Sequence, residues 1–146
     1  MFELIPIKET IEENPEFASN PDCIEALQMT IDHYKNVGFV PPWISYFVQL
    51  NGRIVGMAGY IGKPIDNKIE IAYGTIERFR QKGIGTEICR QLILLAQRTD
   101  LNVIITARTL PEENYSTKIL TKNGFRYLGM AWDKDEGDVW EWLLDK

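Results

Sequence analysis

A chain of 146 residues, 45% of them hydrophobic, is long enough for one domain around one core. Its formal net charge of −5 argues against nucleic-acid binding, and no apolar run approaches the length of a membrane span. Residues 1–6 do not read as a signal peptide, and Cys23 and Cys89, which lack metal-ligand spacing, fit a reduced, cytoplasmic protein.

Residues 2–7 read as a short first strand, limited by Pro6. Residues 8–39 are mostly helical by pattern, with interruptions at Asn14-Pro15 and Asn20-Pro21. Ile24, Leu27, Ile31 and Tyr34 form one apolar stripe that ends at Gly38. His33 in this helix reads as a surface or packing histidine. Pro41-Pro42-Trp43 stops the helix and launches a strand over 44–50. Asn51-Gly52 is the strongest hairpin signal in the chain, and 53–61 returns antiparallel. A turn at 62–67 leads into a strand over 69–76. A helix follows with Ile84, Ile88, Leu92 and Leu95 on one face, and then a strand over 102–107, which a crossover of this length pairs in parallel. A short helix from 110 to 122 closes at Asn123-Gly124. Strands over 125–132 and 138–144 form a last hairpin around the acidic turn 133–137. No repeat, low-complexity tract or linker divides the chain, so a single domain over 1–146 is expected.

The stretch that organises this order is Arg80-Gln81-Lys82-Gly83-Ile84-Gly85-Thr86. A strand, a basic turn with two glycines and a helix N-terminus make an anion site. Glycine lets backbone N–H groups approach a phosphate, and the first helical turn leaves N–H groups unpaired. A dinucleotide fingerprint would need a third glycine where Ile88 stands. The phosphate loop of nucleotide hydrolases needs Gly-Lys-Ser/Thr, which is absent. The bland alternative is a basic turn whose glycines serve tight geometry.

The remaining pattern, Arg-x-x-Gly-x-Gly between strand and helix, resembles the pyrophosphate loop of the GNAT acyl-CoA N-acyltransferases. Glu-Ile-Ala-Tyr at 70–73 followed by the loop resembles the family's central motif, and 116–125, ending Lys-Asn-Gly-Phe, resembles the next. These details and the closing Asp-Gly-Asp-Val-Trp-Glu-Trp are most similar to the branch of the ribosomal-protein N-terminal acetyltransferases. The resemblance implies an α/β GNAT fold. That fold is a mixed central sheet of about six to seven strands with antiparallel N-terminal strands, a parallel central pair and a C-terminal hairpin, flanked by helices.

Carried over residue by residue, the resemblance implies acetyl-CoA as cosubstrate, without a metal. The pyrophosphate would be held by Arg80, Gln81, Lys82, Gly83, Ile84, Gly85 and Thr86, and the pantetheine arm by the backbone of Thr75 and Ile76. A strand N–H would stabilise the oxyanion while a neutral amine attacks the thioester directly. Glu70 is the candidate base or proton relay. Its alternation partners Ala72 and Gly74 are small and leave room for substrate; the plain alternative is a cross-strand charge partner. Leu120 stands where the family often carries a general-acid tyrosine. Ser116 matches the branch's serine, either as proton donor to the leaving thiolate, as CoA anchor or as a helix-capping residue. Asn114, a CoA contact by resemblance, falls one residue later than usual, and Tyr115 is a second candidate acid.

The acceptor pocket is expected between the N-terminal helices and the last hairpin, with Trp43, Trp132, Trp140 and Trp142 as available aromatic surface. Asp133, Asp135, Glu136 and Asp138 are available to attract an amine. The expected acceptor is an N-terminal α-amine or small free amine, on a small molecule or a peptide. An α-amine of pKa about 7.7–8.0 needs only about 1–1.5 kcal/mol to lose its proton at pH 7, against roughly 4–5 for a lysine. The protein is expected to be a monomer or homodimer with no nucleic-acid or membrane partner. An acyl-CoA-binding sensor or regulatory module without turnover is the alternative, and a generic phosphate-binding domain a third.

Overall fold

Seven strands form one mixed sheet in the order β1-β2-β3-β4-β5-β7-β6, in a computed structural model that describes residues 2–80 and 82–145. The strands are β1 (Phe2–Pro6), β2 (Ser45–Leu50), β3 (Arg53–Tyr60), β4 (Lys68–Thr75), β5 (Ile104–Thr109), β6 (Phe125–Asp133) and β7 (Gly137–Leu144). The helices are α1 (Pro15–Ala18), α2 (Ile24–Val37), α3 (Ile84–Thr99) and α4 (Tyr115–Lys122), with a single 3-10 turn at Glu77–Phe79. Strands β1 to β4 are antiparallel neighbours, β4 and β5 run parallel, and β7 returns between β5 and β6. This is the mixed sheet expected from the GNAT resemblance.

Side chains of β4 alternate. Ile69, Ile71 and Thr75 are buried beneath α3, whereas Lys68, Ala72 and Gly74 are exposed on the opposite face. The buried side carries the core: Ile88, Leu92 and Ala96 of α3 are fully enclosed, and the Tyr60 hydroxyl donates to the Leu92 carbonyl at 2.6 Å. Cys23 and Cys89 are free and fully buried, small core filling in both cases. Among the described residues, no helix is long and apolar enough to cross a membrane.

Two elements are shorter than their patterns implied. Helix α4, expected from 110, starts only at Tyr115 because Asn114 caps it there. The region 8–39 holds less helix than its pattern, with only Pro15–Ala18 and Ile24–Val37 α-helical. The cause is Asn14, which is 1% exposed. Its side chain accepts from the Lys8 N–H at 3.0 Å and donates to the Lys8 and Thr10 carbonyls at 3.1 and 2.7 Å, folding 8–14 into a closed loop instead of a helix. Helix α2 is then tied to the sheet by Tyr34. Its hydroxyl donates to the Ile7 carbonyl at 2.8 Å and accepts from the Ser45 N–H at 3.0 Å.

Candidate active site

Pairing between β4 and β5 runs from Lys68↔Ile104 to Ile71↔Ala107 and then stops. Beyond that point β5 stays with β7 through Arg108↔Glu141 and Thr109↔Trp140, while β4 stays with β3 through Gly74 and Thr75. The two parallel strands therefore splay into a V over Ala72–Thr75. In an antiparallel ladder, alternate residues aim both backbone groups at the same neighbour. Ile61 donates to the Glu70 carbonyl and Ile76 donates to Val55, which turns even-numbered backbone toward β3. Tyr73 and Thr75 accordingly face the V. The Ile76 N–H is already used by Val55 at 2.8 Å, and the Thr75 carbonyl accepts from Arg80 Nε at 3.2 Å. The Thr75 hydroxyl is buried and without a partner among the described residues.

At one end of the V stands the N-terminus of α3. Gly83 is its N-cap, in a left-handed conformation with φ of 77°, and among the described residues no side chain caps the first turn. The backbone donors of Ile84, Gly85 and Thr86 thus present an unobstructed anion site, with Lys82 exposed beside it. The two glycines have different reasons. A Cβ on Gly83 would meet nothing, so that position serves conformation and open approach. A Cβ on Gly85 would sit 2.5 Å from Ile119 Cδ1 and 3.0 Å from the Tyr115 hydroxyl, so that position serves the packing of α3 on α4. Gln81 lies outside the described residues. From Gly83 and Thr86 a groove of about 600 Å3 continues to Asn114, Lys118 and Lys122 of the α4 region. Glycine at the loop, open amides, lysines along the groove and a free strand edge all fit a long anionic ligand such as acetyl-CoA.

At the other end, Glu70 and Ser116 are brought to the same cavity, of about 350 Å3, with Arg108, Asn114 and Asp133 on its walls. Ser116 lies in the first turn of α4, and its carbonyl accepts from the Tyr73 hydroxyl at 3.3 Å. It does not cap the helix. Asn114 does: its side chain accepts from the Thr117 N–H at 3.1 Å, and Thr117 Oγ1 accepts from the Asn114 N–H at 2.9 Å. Leu120, at the position expected for a tyrosine, is fully buried. Burial raises the Glu70 pKa above the ordinary carboxylate value, Arg108 pulls it down, and Asp133 and Glu141 push it up.

Arg108 is a residue that the sequence reading passed over. Its guanidinium lies 3.9 Å from Glu70, 3.3 Å from Asp133 and 3.4 Å from Glu141. The only trace in sequence was its place two residues after Thr106 on a strand of alternating polarity. Asp133 also shapes the last hairpin, accepting from the Asp135 and Glu136 N–H groups at 2.9 Å each, and those bonds hold its pKa down. Among the tryptophans, Trp43 and Trp142 are buried, and Trp132 is 69% exposed. His33, expected to be incidental, faces a second cavity over Ala72 and Gly74, and its Nε2 is buried without a partner among the described residues. No cluster of His, Cys, Asp or Glu among the described residues is arranged to hold a metal.

Known proteins carry the same architecture. RimL, the ribosomal L7/L12 alpha-N-protein acetyltransferase in its apo form, superposes with a TM-score of 0.69 over 97% of this chain and 91% of its own, at 16% identity. Aminoglycoside acetyltransferase AAC(6')-Ib, in complex with coenzyme A and kanamycin, gives 0.70 over 100% and 94%, at 18% identity. YdaF of Bacillus subtilis (strain 168), provisionally named a ribosomal N-acetyltransferase, is 29% identical over 128 residues, which is 80% of this chain and 65% of YdaF. The chain thus spans just under two thirds of that relative. The family model described as an acetyltransferase (GNAT) domain matches residues 8–126, and with the splayed β4–β5 pair and the open helix N-terminus beside it, the chain belongs to the GNAT acetyltransferase family.

Proposed function

We propose that the protein is an acetyl-CoA-dependent N-acetyltransferase that modifies a primary amine, an N-terminal α-amine or small free amine, in a ternary complex. The observation that carries the proposal is the V over Ala72–Thr75, with an uncapped helix N-terminus at one end and a half-buried carboxylate, Glu70, at the other. Lys82 and the amides of Gly83 to Thr86 bind the pyrophosphate, with Arg80 fixing the loop to the end of β4. Tyr73 and Thr75 offer strand-edge backbone groups to the pantetheine arm, and an N–H of that edge meets the developing oxyanion. Asn114 fixes the start of α4 at the groove.

In the transfer, the amine nitrogen forms its bond to the acetyl carbonyl carbon as the carbon–sulfur bond breaks. Glu70 takes the proton that the amine gives up, and its raised pKa makes it a better base than an exposed carboxylate. The Ser116 hydroxyl donates a hydrogen bond to the departing sulfur. A thiol of pKa about 8.5 is already a fair leaving group, so Leu120 in place of a stronger acid is tolerable. The sensor alternative keeps the CoA site and predicts no turnover. Calorimetry with acetyl-CoA, followed by CoA release with a panel of amines, separates the two: binding without release from any amine would remove the enzymatic reading.

A further inference from the structure

The cavity beside α2 has chemistry unlike the rest of the site. It measures about 440 Å3, in the lower half of the range of roughly 300–1,000 Å3 usual for small-molecule sites. Its floor is the exposed face of β3 and β4, where Gly59, Ala72 and Gly74 keep side chains out of the space. Met57 and Ser45 line it, and among the described residues none of its walls carries an Asp, Glu, Lys or Arg. Ala72 lies two residues from Glu70 on the same face of β4, about 7 Å along the strand. Glu70 itself lines the neighbouring cavities, and a molecule whose amine reaches it along this face of β4 has room for its body here. Of the two buried polar atoms without a partner among the described residues, the Thr75 hydroxyl points to the α3 side, beside Gly85, and His33 Nε2 is the one on the cavity's side. A buried polar atom of this kind costs about 1–3 kcal/mol unless something pairs with it.

We infer that the acceptor is a monoamine with a compact, uncharged, largely apolar body that fills this cavity and places one hydrogen-bonding group against His33. This inference rests on the transferase reading and narrows its substrate. Polycationic acceptors fit poorly. An apolar cavity offers their extra charges nothing, and Glu70, Asp133 and Glu141 are already gathered on Arg108. His33 is a specificity residue here: a hydroxyl on the acceptor suits its Nε2 whether that nitrogen donates or accepts.

Phenethylamine and tyramine, which differ by one hydroxyl, probe this directly, with spermidine and kanamycin as polycations. Each is titrated into the protein loaded with coenzyme A and also assayed for turnover with acetyl-CoA. Tyramine is expected to surpass phenethylamine about 5–10-fold, the worth of one good hydrogen bond, and both to surpass the polycations. His33→Leu should bring the tyramine to phenethylamine ratio to about 1 without changing phenethylamine, and His33→Gln should restore part of it. Gly74→Val, which adds its side chain to open space, should weaken both amines at least about 10-fold while acetyl-CoA still binds. A ratio unmoved by His33→Leu, or a polycation as the best acceptor, would overturn the inference and leave the transferase intact. Should no amine turn over, the titrations still decide: tyramine binding that depends on His33 upholds the cavity's occupant, and its absence removes it.

Discussion

The two sides of the V are built from different materials. The side proposed for the cosubstrate is mostly backbone: the free strand edge at Tyr73 and Thr75 and the amides of one helix turn over 83–86. The side proposed for the acceptor is mostly side chains from distant elements: Glu70 from β4, Arg108 from β5, Ser116 from α4, Asp133 from the end of β6 and His33 from α2. A backbone site depends on conformation, so a short local pattern can encode it. A side-chain site depends on tertiary placement, and no local pattern records which residues will meet.

The sharpest way to break the first side alone is Gly83→Asp. Aspartate tolerates the left-handed backbone better than most residues, so the fold should survive while a carboxylate opposes the pyrophosphate. Acetyl-CoA affinity should fall about 100-fold or more by calorimetry, and unchanged affinity would exclude the loop as the anion site. On the second side, Glu70→Gln should lower kcat/KM about 100-fold near pH 7 and progressively less toward pH 10, where free amine replaces ammonium. Acetyl-CoA affinity should stay within about two-fold. A pH–rate profile identical to wild type would leave Glu70 a structural partner of Arg108.

Gly85→Ala tests whether the second glycine belongs to the loop or to the packing. Its new methyl presses on Ile119 and the Tyr115 hydroxyl, so thermal or urea unfolding should show a loss of about 1–3 kcal/mol, with acetyl-CoA affinity nearly kept. Ser116→Ala should cost only a few-fold in kcat, about the worth of one hydrogen bond, with no change in pH profile. The smallest effect has an informative sign. The folded state raises the Glu70 pKa, so the unfolded chain binds fewer protons between the two pKa values, and stability falls as pH rises through that window. At neutral pH the ionised Glu70 burdens the fold. Glu70→Gln should therefore raise the melting temperature slightly, on the order of 1–3 °C, and should not do so below the ordinary carboxylate range.

Much of the fold was legible because its signals are local. Asn51-Gly52 marked the β2–β3 hairpin, the stripe of Ile84, Ile88 and Leu92 marked α3, and Asn123-Gly124 closed α4, each within a residue or two of the structure. The failure at 8–14 came from Asn14, whose buried side chain replaces helical bonds with loop bonds, a choice that composition does not display. At the candidate site, motif position singled out Glu70 and Ser116, and the two line one cavity. Arg108 and His33 were not. Their interest lies in what surrounds them, three carboxylates for one and a largely apolar cavity for the other. The parity of β4 also escaped a reading by motif: Tyr73 and Thr75 face the V, whereas the Ile76 N–H belongs to β3.

The half-paired state of β4 bears on how the protein behaves when no ligand is bound. From Lys68 to Ile71 the strand is an interior strand; from Ala72 to Thr75 it is a raw edge inside an otherwise continuous sheet. Raw edges recruit other strands, and proteins ordinarily blunt them with charge, proline or a covering segment. Here the sequence Ala-Tyr-Gly-Thr supplies none of these, and the start of α4 stands beside the edge, where the Ser116 carbonyl accepts from the Tyr73 hydroxyl. A pantetheine arm lying along that edge would act as a removable eighth strand. Coenzyme A should then serve as a colloidal stabiliser as well as a reactant. Light scattering during prolonged warm storage should rise sooner in its absence, and the delay it confers should disappear in Gly83→Asp.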